Sequence, residues 1–303
     1  MNSNSQRLDL LQGLIVKAKK KGATAADAVF IETKSLSVAQ RLGNMEKLER
    51  SEGYDIGLRT LIGNRQAIAS SSDFSPEALE ELTSRAIAMA KVVPEDPFCG
   101  LADPGQLATS QIDVDSFDPS EPSEETLIEW SQKAEDTARS VQGITNSEGA
   151  EAGWGCANIS VVGTNGFSHS YSGSHYSLSV SVLAGEGTGM ERDYDYTGAV
   201  YAEDMLSPEL VGKNAGEKAV KRLKPRKAKT AQVPIIYDPR VSRGLLSHLT
   251  SAINGSSIAR GTSFLKDKMG EQIFSEDITI CDDPHRPRGL RSKPFDGEGV
   301  TNK

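Results

Sequence analysis

Two β-rich stretches, each entered and left through an amphipathic helix, constrain the fold of this chain more than any other feature. The first stretch is predicted to hold these strands: Ala25–Thr33, Leu36–Arg41, Gly53–Ile62 and Arg65–Ser70. Gly63 and Asn64 predict a tight hairpin turn between the last two strands. The second stretch, from Ser147 to Tyr201, alternates in the same way around Asn165-Gly166 and other glycine-rich turns.

Apolar residues at helical spacing predict four helices around these stretches: Leu8–Lys21, Pro76–Lys91, Glu124–Val141 and Pro208–Leu223. Ser75 before Pro76 predicts a capped helix start. We therefore expect an α+β fold whose N-terminal domain, residues 1–100, carries a meandering sheet. A central domain, residues 101–230, should contain a proline-rich linker and a mainly antiparallel β region with flanking helices.

Residues 231–303 are predicted to form the beginning of a C-terminal α+β domain. Val233–Tyr237 is predicted to be a short apolar strand, and a helix around His248 should follow it. Phe295–Lys303 shows neither a helical nor a strand pattern. We therefore expect this domain to be incomplete, as in a truncated chain or a fragment.

Charge and cysteine content restrict the class of protein. The formal net charge of -8 argues against a general nucleic-acid binder, and the basic run Lys218–Lys229 predicts a helix end plus a linker. The three cysteines are widely spaced without a Cys-x-x-Cys pair, which is typical of a reducing compartment. Because the sequence shows neither a secretory signal nor an apolar run of about 20 residues, we expect a cytoplasmic protein without membrane contact.

The helix around His248 carries too few metal ligands to form a zinc site by itself. A zinc ion needs about three or four converging N, O or S ligands. His248 is the one imidazole here, and its neighbours on the helix, Leu249 and Ile253, supply no ligand atom. We expect no metal in this chain and assign no catalytic residue, with His248 as the only candidate ligand on this helix.

Two other groups of residues could suggest chemistry, but a structural role is favoured for each. A continuous strand would place His169 and His175 on one face, whereas a turn at Ser172-Gly173-Ser174 would place them on paired strands. These three residues predict the turn, and two surface imidazoles in a serine-rich hairpin are the favoured interpretation. The run Cys281–Arg288 contains a thiol, two carboxylates and an imidazole, but its two prolines favour a turn over a metal site. The sequence contains neither a Gly-x-Ser-x-Gly elbow nor a phosphate-binding loop.

A loop after the His248 helix is a candidate peptide-binding segment. Arg260, Gly261, Thr262 and Ser263 combine a guanidinium with backbone and hydroxyl donors that could hold an extended peptide or its carboxylate. The alternative is a helix C-terminal turn solvated by its hydroxyls. The sequence does not decide between these two interpretations.

Several segments of the chain resemble a known family. Tyr54–Arg59 and Ala69–Asp73 resemble the first domain of the TldD/PmbA (TldE) metalloprotease family. Val233–Pro239, Ala259–Leu265 and Phe295–Gly299 resemble the PmbA/TldE branch of this family. The resemblance covers essentially the whole chain, and we expect the C-terminal portion of the family to be missing from it.

The resemblance implies one subunit of a cytosolic, two-component peptidase that trims peptides and unfolded segments. In this family a TldD subunit holds zinc or a similar divalent metal on an HExxxH helix with a downstream cysteine, and TldE pairs with it. His248 matches the first histidine of that motif, whereas Leu249 and Ile253 do not match it. The resemblance therefore implies the non-metal subunit, with a TldD-like partner, peptide substrates and a homo- or hetero-oligomeric state.

Two further hypotheses remain beside that of a metallopeptidase subunit. The chain could be a non-enzymatic peptide-binding or assembly protein derived from the family. It could also be a stand-alone hydrolase that uses His169 and His175.

Overall fold

The computed structural model describes residues 4–110 and 112–301, which form two compact units. The first unit contains the chain up to Lys224 together with the segment from Asp283 onward. The second unit contains Pro225–Asp282. The sequence segment 231–303 is therefore shared between the two units.

One antiparallel sheet of six strands is the framework of the first unit. Its strands are β1 (Ala25–Arg41), β2 (Asn44–Ile62), β3 (Arg65–Ser71), β4 (Ile144–Gly163), β5 (Ser168–Ala184) and β6 (Glu191–Ala199). Their order across the sheet is β3-β2-β1-β4-β5-β6. The strands β1, β2, β4 and β5 are 17 to 20 residues long, whereas strands usually have roughly three to ten.

Four helices pack on one face of this sheet: α1 (Asn4–Lys20), α2 (Pro76–Val92), α3 (Glu124–Ser140) and α4 (Pro208–Lys221). Ser75, Ser123 and Ser207 cap α2, α3 and α4, and each hydroxyl accepts a hydrogen bond from a backbone N–H of the first turn. Phe30 of β1 lies in the apolar core under α1 and α2, and Val38 of the same strand lies in a second core under α3 and α4. The predicted α+β class is confirmed.

The long strand β1 joins the two β-rich stretches into one sheet, because it pairs with β2 on one side and with β4 on the other. The predicted break between Thr33 and Leu36 is wrong. Glu32 and Lys34 interrupt the apolar alternation since they lie on β1 between the residues of the two cores. The carboxylate of Glu32 forms an ion pair with the nearly buried Arg7 of α1.

The strand β5 is also continuous, so the predicted turn at Ser172-Gly173-Ser174 is wrong. Ser172 and Ser174 face Asn158 and Cys156 across β4. The Ser174 hydroxyl donates a hydrogen bond to the carbonyl of Val200 and accepts one from the N–H of Asp118. Asp118 lies in the proline-rich segment between α2 and α3, residues 93–123, here named the linker. The small polar residues that suggested a turn therefore hold the linker against the edge of the sheet.

The turn between β1 and β2 is anchored to α3. Leu42 and Gly43 both have positive φ, at 51° and 79°. The carboxylate of Glu135, a residue of α3 that is only 1% exposed, accepts hydrogen bonds from the N–H groups of Leu42 at 2.8 Å and Gly43 at 3.1 Å. This contact stabilises a left-handed backbone that leucine ordinarily disfavours.

Residues 283–301, here named the return segment, pack on the first unit through an aromatic cluster. Phe295 is 2% exposed, and its ring centroid lies 4.9 Å from that of Phe167 and 5.3 Å from that of Tyr171. Leu107 and Val300 form an isolated antiparallel bridge beside this cluster. The return segment therefore covers apolar residues of the β4–β5 hairpin.

An ionic contact holds the same segment to the linker. The guanidinium of Arg288 lies 3.8 Å from the ring centroid of Tyr201, and its nitrogens bind Asp115 at 2.7 Å and Glu203 at 2.6 Å. The hydrogen bond from Tyr201, with that from Arg288, holds the pKa of Asp115 below its ordinary value. The same contact with Asp115 raises the pKa of Tyr201 to about 12.

The second unit consists of helix α5 (Pro239–Ala252), the short helix α6 (Gly255–Ala259) and irregular segments with turns. The predicted strand Val233–Tyr237 is wrong, because this stretch is irregular and pairs with no strand among the described residues. Ile236 there is 96% exposed. Within the described ranges, no helix is both long and apolar enough to cross a membrane.

Candidate functional site

Helix α5 carries the predicted metal-motif remnant. The Asp238 side chain caps the helix by accepting a hydrogen bond from the N–H of Arg240 at 2.9 Å. His248 lies on the exposed surface of the last turns. Ile253 follows the final helical residue as the C-cap, and its N–H donates to the carbonyl of Leu249 at 2.9 Å. The helix thus presents one imidazole, with aliphatic side chains at 249 and 253.

The corner between α5 and α6 is built by hydroxyl groups of the predicted peptide-binding loop. Ser263, which is 7% exposed, donates to the carbonyl of Ala252 at 2.6 Å and accepts from the N–H of Leu265 at 3.0 Å. The N–H of Thr262 donates to the carbonyl of Ser257 at 3.1 Å, and its hydroxyl donates to the same oxygen. These two hydroxyls therefore close the corner internally.

Arg260 and Gly261 occupy the outer side of this corner. Arg260 is the C-cap of α6, and its side chain is exposed, with no ion-pair or hydrogen-bond partner for the guanidinium among the described residues. Gly261 adopts a φ of 68°, the left-handed conformation that ends many helices. Of the four predicted binding residues, Arg260 alone therefore retains an available charged group, and peptide binding stays a prediction.

The surface around the corner is apolar to an extent that the sequence did not predict. Val241, Leu245 and Leu246 of α5 are 59%, 49% and 48% exposed, and Phe264 beyond the corner is 77% exposed. Val241 and Leu245 are one turn apart on α5 and therefore neighbours on its surface. Neighbouring exposed apolar residues can mark a protein contact, so this helix face is a second element of the candidate site.

The histidines of β5 are too far apart for joint chemistry. His169 and His175 lie on one continuous strand, and six residues span about 20 Å. His169 packs with its ring centroid 5.0 Å from that of Phe167 and 5.8 Å from that of Phe295. A single metal or substrate atom cannot contact both imidazoles, so this geometry argues against the hydrolase hypothesis.

The Cys281–Arg288 run forms a turn, in line with the favoured interpretation. The carboxylate of Asp283 accepts a hydrogen bond from the N–H of His285 at 3.1 Å. Arg288 binds the carboxylates of Asp115, Glu203 and Asp204, and none of the carboxylates of its own run. In the described part of the chain, no three His, Cys, Asp or Glu side chains converge as a metal site would require.

Sequence comparison identifies the family. Residues 26–90, 117–223 and 230–303 match the models for domain 1, the central domain and the C-terminal domain of the PmbA/TldA metallopeptidases. A Metalloprotease PmbA homolog of Haemophilus influenzae is 33% identical over 302 residues, which cover 99% of this chain and 67% of that protein. The chain belongs to the PmbA/TldD family.

Further members agree with this assignment. Metalloprotease PmbA of Escherichia coli O157:H7 is 37% identical over 277 residues, which cover 91% of this chain. The match spans 61% of the length of the Escherichia coli protein, so this chain corresponds to under two thirds of that relative. The helix α5 and the loop at Arg260 lie within the segment that matches the C-terminal domain of the PmbA/TldA family.

Solved structures share the fold. A Bacteroides thetaiotaomicron protein described as a candidate modulator of DNA gyrase superposes with a TM-score of 0.93 at 25% identity, covering 100% of this chain and 69% of its own. TldE of Thermococcus kodakarensis superposes with a TM-score of 0.83 at 23% identity, covering 97% of this chain and 66% of its own. The PmbA/TldD fold is therefore present throughout the matched region.

Proposed function

We propose that this chain is a PmbA/TldE-like subunit of a cytosolic metallopeptidase complex that degrades peptides or unfolded segments. In this proposal a TldD-like partner holds the zinc or similar divalent metal. The observation that carries the proposal is the composition of α5, where His248 stands beside Leu249 and Ile253 in a chain of a metallopeptidase family.

The chemistry of peptide hydrolysis explains why α5 matters. A metallopeptidase needs several ligands for its metal and a general base, commonly glutamate, for the attacking water. Leucine and isoleucine supply neither an electron pair for a metal nor a proton acceptor. A single exposed imidazole binds a divalent ion weakly and cannot activate water by itself. The catalytic metal would therefore come from another subunit.

The α5–α6 corner supports a role in presenting the peptide. The exposed guanidinium of Arg260 could form paired hydrogen bonds with a peptide carboxylate. The exposed apolar side chains of Val241 and Phe264, in the same unit, could contact side chains of an unfolded segment. Such contacts would raise the affinity of the complex for peptide without taking part in bond cleavage.

Metal analysis and a peptidase assay test this proposal. The chain, a TldD-like family member and their mixture would each be analysed for bound zinc and for cleavage of a fluorogenic casein peptide. We expect stoichiometric metal only in the TldD-like protein and the highest cleavage rate in the mixture. Stoichiometric zinc together with cleavage by the lone chain would contradict the proposal.

Variants separate a role in metal binding from a role in peptide binding. His248→Ala should leave the cleavage rate of the mixture unchanged, because the metal belongs to the partner. Arg260→Ala should raise KM for peptides with a free carboxylate by about tenfold while kcat stays constant. Lys266→Ala, another exposed cation of the same unit, is the matched control and should have no effect. If the mixture binds peptides but never cleaves them, the chain is instead a non-enzymatic peptide-binding or assembly protein.

A further inference from the structure

The first half of β2 is a long strand edge without a neighbour. The strand β3 pairs with β2 only from Ile56 to Ile62. Residues 44–52 of β2 pair with β1 on one side, and no other described strand lies on their outer side. All of these residues are exposed, including Leu48 at 42% and Met45 at 50%. This free edge is about 30 Å long.

A free edge of this length invites pairing with another strand, because its outward N–H and C=O groups form a regular template. Natural proteins often protect such an edge with proline or with charged side chains, which a second strand has to neutralise. Residues 44–52 contain no proline, and their charges alternate in sign in the order Glu46, Lys47, Glu49, Arg50 and Glu52, so a second strand of the same sequence can neutralise them. Since Glu135 anchors the adjoining turn, the edge is held in place.

We propose that the free edge binds the same edge of a second copy of this chain, antiparallel, about a two-fold axis at Leu48. This register places Lys47 opposite Glu49 of the second copy and Glu49 opposite its Lys47. Leu48 meets its own counterpart at the axis. Arg50 lies beside Glu46 of the second copy. Glu46 is the residue at the β-bulge of β2. Two six-stranded sheets would become one continuous sheet.

Other symmetric registers are unfavourable. Antiparallel pairing requires that outward-facing residues meet outward-facing residues, so the axis must pass through a residue. An axis at any of the charged residues 46, 47, 49, 50 or 52 would place that side chain against an identical charge. An axis at residue 44 or 45 would pair at most three residues of the edge, because β2 begins at Asn44. An axis at Ser51 would run the partner's residues 44–46 into the position that β3 occupies beside Ile56. The axis at Leu48 avoids these problems.

The charges on the edge are free to rearrange. Lys47 now pairs with Glu49 of its own strand at 2.8 Å, and their side chains are 47% and 58% exposed. Arg50 contacts Glu121, again at the surface. Because exposed ion pairs contribute little to stability, exchanging them for contacts across the axis costs little.

The small contact area implies a weak dimer that forms at roughly micromolar concentrations or above. This inference does not depend on the proposed function.

Sedimentation velocity over a concentration series tests the pairing. We expect a monomer–dimer equilibrium that Lys47→Glu and Glu49→Lys, each alone, weaken by about tenfold or more. The two single variants should dimerise with each other when mixed, because every pair across the axis is then of opposite charge. The double variant should dimerise like the wild type. Mixing cannot restore the Lys47–Glu49 ion pair within each strand. Recovery of dimerisation on mixing therefore reports the contact between chains.

Two controls make the test decisive. Lys213→Glu disrupts an exposed pair with Glu217 on α4 and should leave the equilibrium unchanged. Leu48→Cys in a Cys281→Ser background should form an intermolecular disulfide under mild oxidation, whereas Met45→Cys should not. A chain that stays monomeric would overturn the proposal. So would a dimer that ignores both charge reversals, since it would form through another surface such as the apolar residues of the second unit.

Discussion

Replacing Gly299 by alanine should release the return segment from the first unit. Gly299 is buried and has a φ of 83°, and a Cβ built there would lie 2.5 Å from carbon atoms of the Phe167 ring. Its carbonyl accepts a hydrogen bond from the N–H of Ala108 at 2.8 Å. The substitution therefore combines an unfavourable backbone conformation with a steric overlap.

The two effects give an approximate magnitude. An L-residue in the left-handed region costs about 1–2 kcal/mol. Overpacking against a ring held by other aromatic side chains costs about 1–3 kcal/mol. Together they disfavour docking of the return segment by about 2–5 kcal/mol, which corresponds to a roughly thirty-fold to few-thousand-fold rise in its open population. The sheet itself should remain folded, because its strands pair without Gly299.

Hydrogen exchange measured by mass spectrometry would detect this opening. We expect faster exchange in residues 283–301 and at Ala108, and unchanged exchange in β1 and β4. Gly297→Ala is the matched control, since nothing lies within 4 Å of a Cβ at that position and its φ is not positive. Equal protection of the return segment in both variants would refute the steric reasoning.

Two further predictions concern other contacts, one at buried and open glycines and one at Asp115. Gly212→Ala should destabilise the protein by about 1–3 kcal/mol, because its Cβ would overlap the carbonyl oxygen of Ala134 on α3. Gly13→Ala, in an open position of α1, should stabilise the protein by about 0.5–1 kcal/mol. Thermal unfolding of both variants measures the difference, and equal shifts in the two would count against this reasoning. The lowered pKa of Asp115 means that its contribution to stability is present above the ordinary pKa of about 4 and is lost as the pH falls through the lower folded value. NMR signals of the return segment should therefore broaden in acid, and Asp115→Asn, which cannot titrate, should show weakened docking already at neutral pH; acid-insensitive signals in the wild type would contradict this.

Local patterns predicted the helices well, since their start signals are local. Ser75 and Pro76 mark the beginning of α2 in both sequence and structure. The strands were predicted less completely, because their burial depends on distant elements. Residues 44–52 are exposed on both faces and carry no alternating pattern, so the sequence did not indicate that β2 begins at Asn44. The sequence predicted a break in β1 after Thr33, because the residues of β1 that lie between the two apolar cores are polar.

The candidate site was predictable in composition but not in geometry. The sequence showed that 249 and 253 lack metal ligands, and this is a statement about residue types alone. It did not show that the hydroxyls of Thr262 and Ser263 are used inside the corner, because that depends on where Ser257 and Ala252 lie. Likewise, only the continuity of β5 separates His169 from His175 by about 20 Å.

The return segment means that a boundary read from sequence similarity is not a place where this protein can be divided. A version that stops at Lys224 would retain every strand and every helix of the sheet unit. It would nevertheless uncover Phe167 and Tyr171 and leave Asp115 without its cation. Exchange of the C-terminal segment between family members would therefore have to preserve Phe295 and Arg288 together with the surface that receives them.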